Sequence, residues 1–123
     1  MVVTEPAIVV KRIFEPAAED DGTRILVDGI WPRGVSKDAA ALHAWRKDVA
    51  PSHELRQWFG HRVERWDDFC DRYRAELATN AGVDELAMVA RTGRLTLLFS
   101  ARDQEHNQAV ALAEVVAERL ATD

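Results

Sequence analysis

The chain reads as an α/β protein, a single-domain three-layer sandwich with a mostly parallel sheet flanked by helices. Three observations predict this. The runs Ile8–Phe14, Arg24–Asp28 and Leu95–Phe99 are short and apolar on both faces, as strands covered by helices on both sides are. Between and after them lie stretches whose apolar residues recur at spacings of three and four, the period of an amphipathic helix. The length of 123 residues, 47% of them hydrophobic, suits one domain spanning residues 1–123, which buries roughly two-thirds of its unfolded surface without a disulfide or a metal.

Ile8–Phe14 is β-branched and predicts the first strand. Glu15–Thr23 is acidic, with a proline and a glycine, and predicts an exposed, mobile loop. Arg24–Asp28 is the second strand. Ser36 is placed to cap a short helix through Lys37–Leu42. A fourth strand is placed within His43–Val49, although Ala39–Trp45 also carries a helical pattern. Ser52 caps a helix over His53–Phe59, which Gly60 ends. Val63, Trp66, Cys70, Tyr73 and Leu77 form one stripe of a helix from Val63 to Leu77. Val83–Arg91 is a shorter helix stopped by Gly93, and Leu95–Phe99 is the third clear strand. The last helix runs from about Asp103 to Leu120, with Ala109, Ala113, Val116 and Leu120 inward.

Composition excludes several classes. The net charge of -5 argues against duplex nucleic acid or an anionic membrane as partner, because both reward a basic surface. No apolar run approaches the roughly 20 residues that cross a bilayer, and Met1–Val10 lacks the pattern of a secretory signal. The single cysteine, Cys70, fits a reducing cytoplasm. His43, His53, His61 and His106 are scattered without metal-ligand spacing. There is no glycine-rich phosphate loop and no nucleophile elbow. Neither a metal nor a cofactor is therefore expected.

Three segments carry candidate chemistry. Asp28-Gly29-Ile30-Trp31-Pro32-Arg33-Gly34 follows the second strand, and the carboxyl ends of strands are where α/β proteins bind ligands. Arg33 offers a planar fork for carboxylate or phosphate, and Asp28 is suited to orient Arg33, accept from a ligand or act as a base. A structural Asp28–Arg33 pair with Trp31 plugging the core stands as the alternative. Ser52-His53-Glu54-Leu55-Arg56 exposes free N–H groups at a helix start, with His53 and Arg56 one turn apart; an ordinary serine cap explains it as well. Ser100 to Asn107 sits at another strand end. There Asp103 and His106 share a helix face as a general-base pair, or Ser100 and Asp103 form a capping box.

In this order Lys11-Arg12-Ile13, Val27-Asp28-Gly29-Ile30-Trp31-Pro32-Arg33-Gly34, Ala50-Pro51-Ser52 with Leu55-Arg56, Trp58-Phe59-Gly60-His61 and Glu105-His106-Asn107 resemble the YeaO-like proteins, a bacterial family classed as a domain of unknown function. The resemblance covers about Val9 to Leu120. It implies a small cytoplasmic α/β domain and transfers no reaction. Arg12, Asp28, Trp31, Arg33, Ser52, Arg56, His61, His106 and Asn107 match the family pattern. The chain departs from it at Gly29, where relatives usually carry arginine, and so lacks an anion contact or ion pair beside Asp28.

The leading expectation is a protein that binds a small anionic ligand, phosphate- or carboxylate-bearing, at the strand ends. Arg12 and Arg33 would hold the anion, with Trp31, Ser52, Arg56, His61 and Asn107 around it. Asp28 or His106 would serve as acid or base in a metal-independent enzyme. The alternatives are a homodimeric or partner-binding module displaying Trp58, Phe59 and Trp66, and a binder of nucleotides or single strands that stacks bases on tryptophan.

Overall fold

The computed structural model describes residues 7–122, so the reading of the N-terminus falls partly outside the described residues. Four strands form one parallel sheet: β1 (Ile8–Arg12), β2 (Thr23–Leu26), β3 (Ala44–Trp45) and β4 (Leu95–Phe99), in the order β1-β4-β2-β3. Five α-helices accompany it: α1 (Lys37–Ala40), α2 (His53–Phe59), α3 (Trp66–Leu77), α4 (Ala81–Thr92) and α5 (Gln108–Ala121). The predicted α/β class and the parallel sheet are what the structure has.

Alternation along the strands splits the core in two. Ile25, Val27, Leu95, Leu97 and Phe99 face the larger cluster, shared with Leu55 and Phe59 of α2, Phe69, Tyr73 and Leu77 of α3, Val83, Leu86, Ala87 and Ala90 of α4, and Ala109, Leu112 and Val116 of α5. Leu26 and Leu98 point the other way. They meet Ile13 and Ala40, with Trp31, Val35, Leu42 and Trp45 packed against them. The layers are therefore unequal: four helices cover one face, while one short helix and a tryptophan-bearing loop cover the other.

Local rules explain the helix limits. The Ser36 hydroxyl accepts from Ala39 N–H at 3.0 Å and opens α1. Ser52 accepts from Leu55 N–H at 3.2 Å and opens α2, and Gly60, with φ 54°, closes it in the left-handed conformation that glycine adopts cheaply.

Three expectations are corrected. Asp21 in the acidic loop is buried, at 6% exposure, inside a 3-10 turn over Glu19–Asp21. Its carboxylate accepts from Lys11 Nζ at 3.1 Å, Arg24 Nη1 at 2.5 Å and Ala18 N–H at 3.0 Å, which makes burial tolerable. The α3 stripe keeps Tyr73 and Leu77 of the predicted one, with Trp66 and Cys70 half-buried beside them, but it takes in a ring that was not predicted. Phe69 is buried with Tyr73 and Leu77, whereas Val63 is exposed within a 3-10 turn before the helix. The fourth strand lies within His43–Val49 as expected, over two residues, and is followed by a 3-10 turn at Lys47–Val49. The last helix begins at Gln108, five residues later than expected, because Asn107 rather than Ser100 caps it: Asn107 Oδ1 accepts from Val110 N–H at 3.1 Å.

Candidate functional site

β2 and β4 are neighbours in the sheet, but the chain leaves them towards opposite faces. After β2 it runs into the Trp31 loop and α1 on the smaller face. After β4 it runs to α5 on the larger one. Diverging exits at adjacent strand ends open a crevice, the usual ligand position in open α/β sheets. Here the crevice is a cleft of about 380 Å³ walled by the Asp28–Pro32 loop, by Pro51, Arg56, Phe59 and His61 around α2, by Phe69, and by Ser100, Ala101, Asn107 and Gln108. That volume lies within the range of small-molecule sites.

Asp28 sits at its base, 9% exposed. Its Oδ2 accepts from the Ser100 N–H at 3.1 Å and the Ser100 hydroxyl at 2.5 Å, and its Oδ1 accepts from the Gln108 side-chain amide. Burial raises the Asp28 pKa above the ordinary carboxylate value, with the Ser100 and Gln108 hydrogen bonds and the Arg56 charge working against it. Two indoles hold the loop in place. Trp45 Nε1 donates to the Asp28 carbonyl and Trp31 Nε1 to the Val35 carbonyl, each at 2.8 Å, and the rings meet edge to face at 5.3 Å.

Arg56 is the cation of the cleft. Its side chain donates to no protein group among the described residues, and its Nε is shielded from solvent without a partner. The guanidinium lies over Gly29: a Cβ there would stand 3.0 Å from Nη1. The space beside Asp28 is thus occupied by a guanidinium delivered from α2. His61 lines the mouth, with a left-handed backbone (φ 58°) directly after Gly60, a conformation costing a non-glycine residue about 1–2 kcal/mol.

The other predicted residues divide. Trp31 and Asn107 line the cleft with Asp28, Arg56 and His61. Arg33 is exposed, outside the cleft lining, and makes no pair with Asp28. Arg12 also lies outside the lining. It donates through Nε to the Ala101 carbonyl at 2.9 Å and lies over Phe14, so it braces the segment after β4. Ser52 is exposed and is held by Glu76, to which its N–H and hydroxyl donate at 2.8 and 2.6 Å. His106 pairs with Asp103 at 2.9 Å and stands edge-on to Trp66 at 5.3 Å, beside the cleft rather than in its lining. The Ser100–Asp103 capping box does not form. Ser100 turns to Asp28, and Asp103 accepts from Glu105 and His106 N–H in an Asx turn. Gln108 was not among the predicted residues. Its only sequence signal is its place one residue after a helix cap.

A family model described as the inactive DUF488-N3 subclade matches residues 7–123. The chain belongs to this family. Among the relatives of this DUF488-N3 chain, the uncharacterized protein YeaO of Escherichia coli (strain K12) is 44% identical over 105 residues, which cover 85% of this chain and 91% of that protein. The uncharacterized protein Rv3073c of Mycobacterium tuberculosis (strain H37Rv) is 40% identical over 115 residues, 94% of this chain and 98% of the relative. No solved structure matches. Among the described residues of this DUF488-N3 member no helix is long and apolar enough to cross a membrane, and no group of three or more His, Cys, Asp or Glu side chains is arranged to hold a metal ion.

Proposed function

We propose that this protein binds a small oxyanion-bearing molecule in the strand-end cleft and holds it without turnover. The observation that carries the reading is Arg56, a guanidinium lining the cleft that donates to no protein group among the described residues. Asp28 lies within electrostatic reach of Arg56, but its carboxylate oxygens hydrogen-bond to Ser100 and Gln108 and not to the guanidinium. Arginine unclaimed by the protein is suited to a carboxylate or phosphate, which it grips through two parallel N–H bonds. Ile30, Trp31, Pro32, Phe59 and Phe69 supply apolar walls for the body of the ligand. Binding without chemistry is supported by the occupied oxygens of Asp28, by His106 lying outside the lining, and by the family description as inactive. The partner-module reading loses one of its aromatics, because Phe59 is 5% exposed. A single half-buried thiol suits the cytoplasm as the working compartment.

The test is a thermal-shift screen of the native protein and Arg56→Ala against inorganic phosphate, mononucleotides and aromatic carboxylates. A compound present at a hundred times its Kd adds about 2.7 kcal/mol. That raises the melting midpoint of a domain this size by about 10 °C, and Arg56→Ala abolishes the rise. No shift of the native protein across the panel would refute the proposal.

A further inference from the structure

Two glycines of the Asp28–Gly34 loop exist for different reasons. Gly34 has φ 78°, and a Cβ there would meet nothing within 4 Å, so backbone conformation demands glycine. Gly29 has no such conformation. What a side chain there would meet is the Arg56 guanidinium, at 3.0 Å from Nη1, 3.1 Å from Cζ and 3.4 Å from Nη2. Space for a cation, rather than a turn, is what glycine provides.

The guanidinium so placed is free to act on a ligand. Among the described residues its side chain donates to no protein group, and Asp28, although within electrostatic reach, accepts its hydrogen bonds from Ser100 and Gln108. Pro51 and Phe59 stand on its own side of the cleft, and Ile30 and Pro32 on the loop side. These neighbours are apolar, and they favour a direct charge-assisted contact over a hydrated one.

We infer that Gly29 is a specificity-determining position: by lacking a side chain it seats the Arg56 guanidinium in the cleft, and the seated guanidinium makes the site select a carboxylate or phosphate over an uncharged molecule of the same shape. The inference rests on the cleft being a binding site, as proposed above. A branched side chain at position 29 displaces the guanidinium and removes the selection while leaving the apolar walls intact.

The experiment measures benzoate, phenyl phosphate and the neutral isostere benzamide by calorimetry on the native protein, Gly29→Val, Gly29→Ala and Arg56→Lys, each checked by its melting curve. The native protein binds at least one of the two anions roughly ten- to a hundred-fold more tightly than benzamide, the span of a hydrogen-bonded charge. The stronger of the two identifies carboxylate or phosphate. Gly29→Val brings that anion to the benzamide level with benzamide affinity unchanged. Gly29→Ala, which shifts the guanidinium by only a few tenths of an ångström, falls between and keeps the test decisive if the valine variant melts low. Arg56→Lys loses most of the preference because an ammonium lacks the planar fork. Native-like anion preference in both Gly29 variants overturns the inference and leaves the cleft reading standing. A native protein that binds benzamide as well as either anion also overturns it, whereas a native protein that binds none of the three overturns the cleft reading itself.

Discussion

Replacing Ser100 by alanine removes one of three donors from a buried carboxylate and leaves everything else at the site in place. The hydroxyl donates to Asp28 Oδ2 at 2.5 Å. The Ser100 N–H at 3.1 Å and the Gln108 amide on Oδ1 remain after the substitution. A hydrogen bond to an ionised group is worth about 1.5–3 kcal/mol and one between neutral groups about 0.5–1.5 kcal/mol. At neutral pH the Ser100→Ala variant therefore loses about 1.5–3 kcal/mol, and at about 4 °C per kcal/mol for a domain this size the midpoint falls by roughly 6–12 °C. The pH dependence makes the result diagnostic. Burial holds the Asp28 pKa above its ordinary 3.8, with Ser100, Gln108 and Arg56 opposing. A carboxyl whose folded pKa is raised contributes most below its unfolded pKa, and that contribution is lost as pH rises through the folded value. Taking away the hydroxyl raises the folded value further, so the deficit of the variant opens above pH 3.8 and shrinks to the neutral figure below it. Urea unfolding of both proteins at neutral pH and just below 3.8 measures this. A deficit of equal size at both pH values, or none at neutral pH, would refute the argument.

At the far end of the sheet the sign reverses. Burial works to raise the Asp21 pKa, but the hydrogen bonds from Ala18, Lys11 and Arg24 outweigh it and hold the carboxyl below 3.8. Its stabilisation is present above 3.8 and is lost as pH falls through the lower folded value. Asp21→Asn leaves Arg24, 3% exposed, without its counter-charge, and costs about 3–5 kcal/mol at neutral pH. In urea unfolding that deficit narrows on acidification, and a deficit unchanged at strongly acid pH would count against the pairing. The Cys70 thiol is pushed up to about 11, first by burial and then by Glu114, Asp67 and Asp71 against Arg74, so only roughly one molecule in ten thousand carries a thiolate at neutral pH. Iodoacetamide should alkylate it far more slowly in the native protein than in urea, and equal rates would show that the burial is not maintained.

Elements set by neighbouring residues were legible from the chain. Leu95–Phe99 needs only its own apolar run to be a strand, and α2 needs only Ser52 and Gly60, whose caps act within four residues. Helix phase was less legible. Tyr73 and Leu77 fit both a stripe continued through Val63 and Cys70 and one continued through Phe69, and Phe69 is drawn inward by its stack on Phe59, at 4.4 Å, from a different helix. Ser100 shows the same limit at the site. Local logic makes it a helix cap, but a buried carboxylate 72 residues away takes its hydroxyl, because an unsatisfied buried charge costs more than a cap is worth.

The sequence by itself determined the α/β class, most of the strands and helices, and the caps of α1 and α2, since each depends on contacts a few residues apart. It also assigned the chain to the YeaO-like proteins, which the matches to DUF488-N3 and YeaO bear out. Only the tertiary structure decided that β4 lies between β1 and β2, and with it that Asp28 meets Ser100 and Gln108. It also placed Arg56, and neither Arg12 nor Arg33, in the lining of the cleft, with its guanidinium against the Cα of Gly29. Such pairings depend on strand order and on which face each connection takes, and these are settled by burial of the whole sheet rather than by any stretch of chain within it.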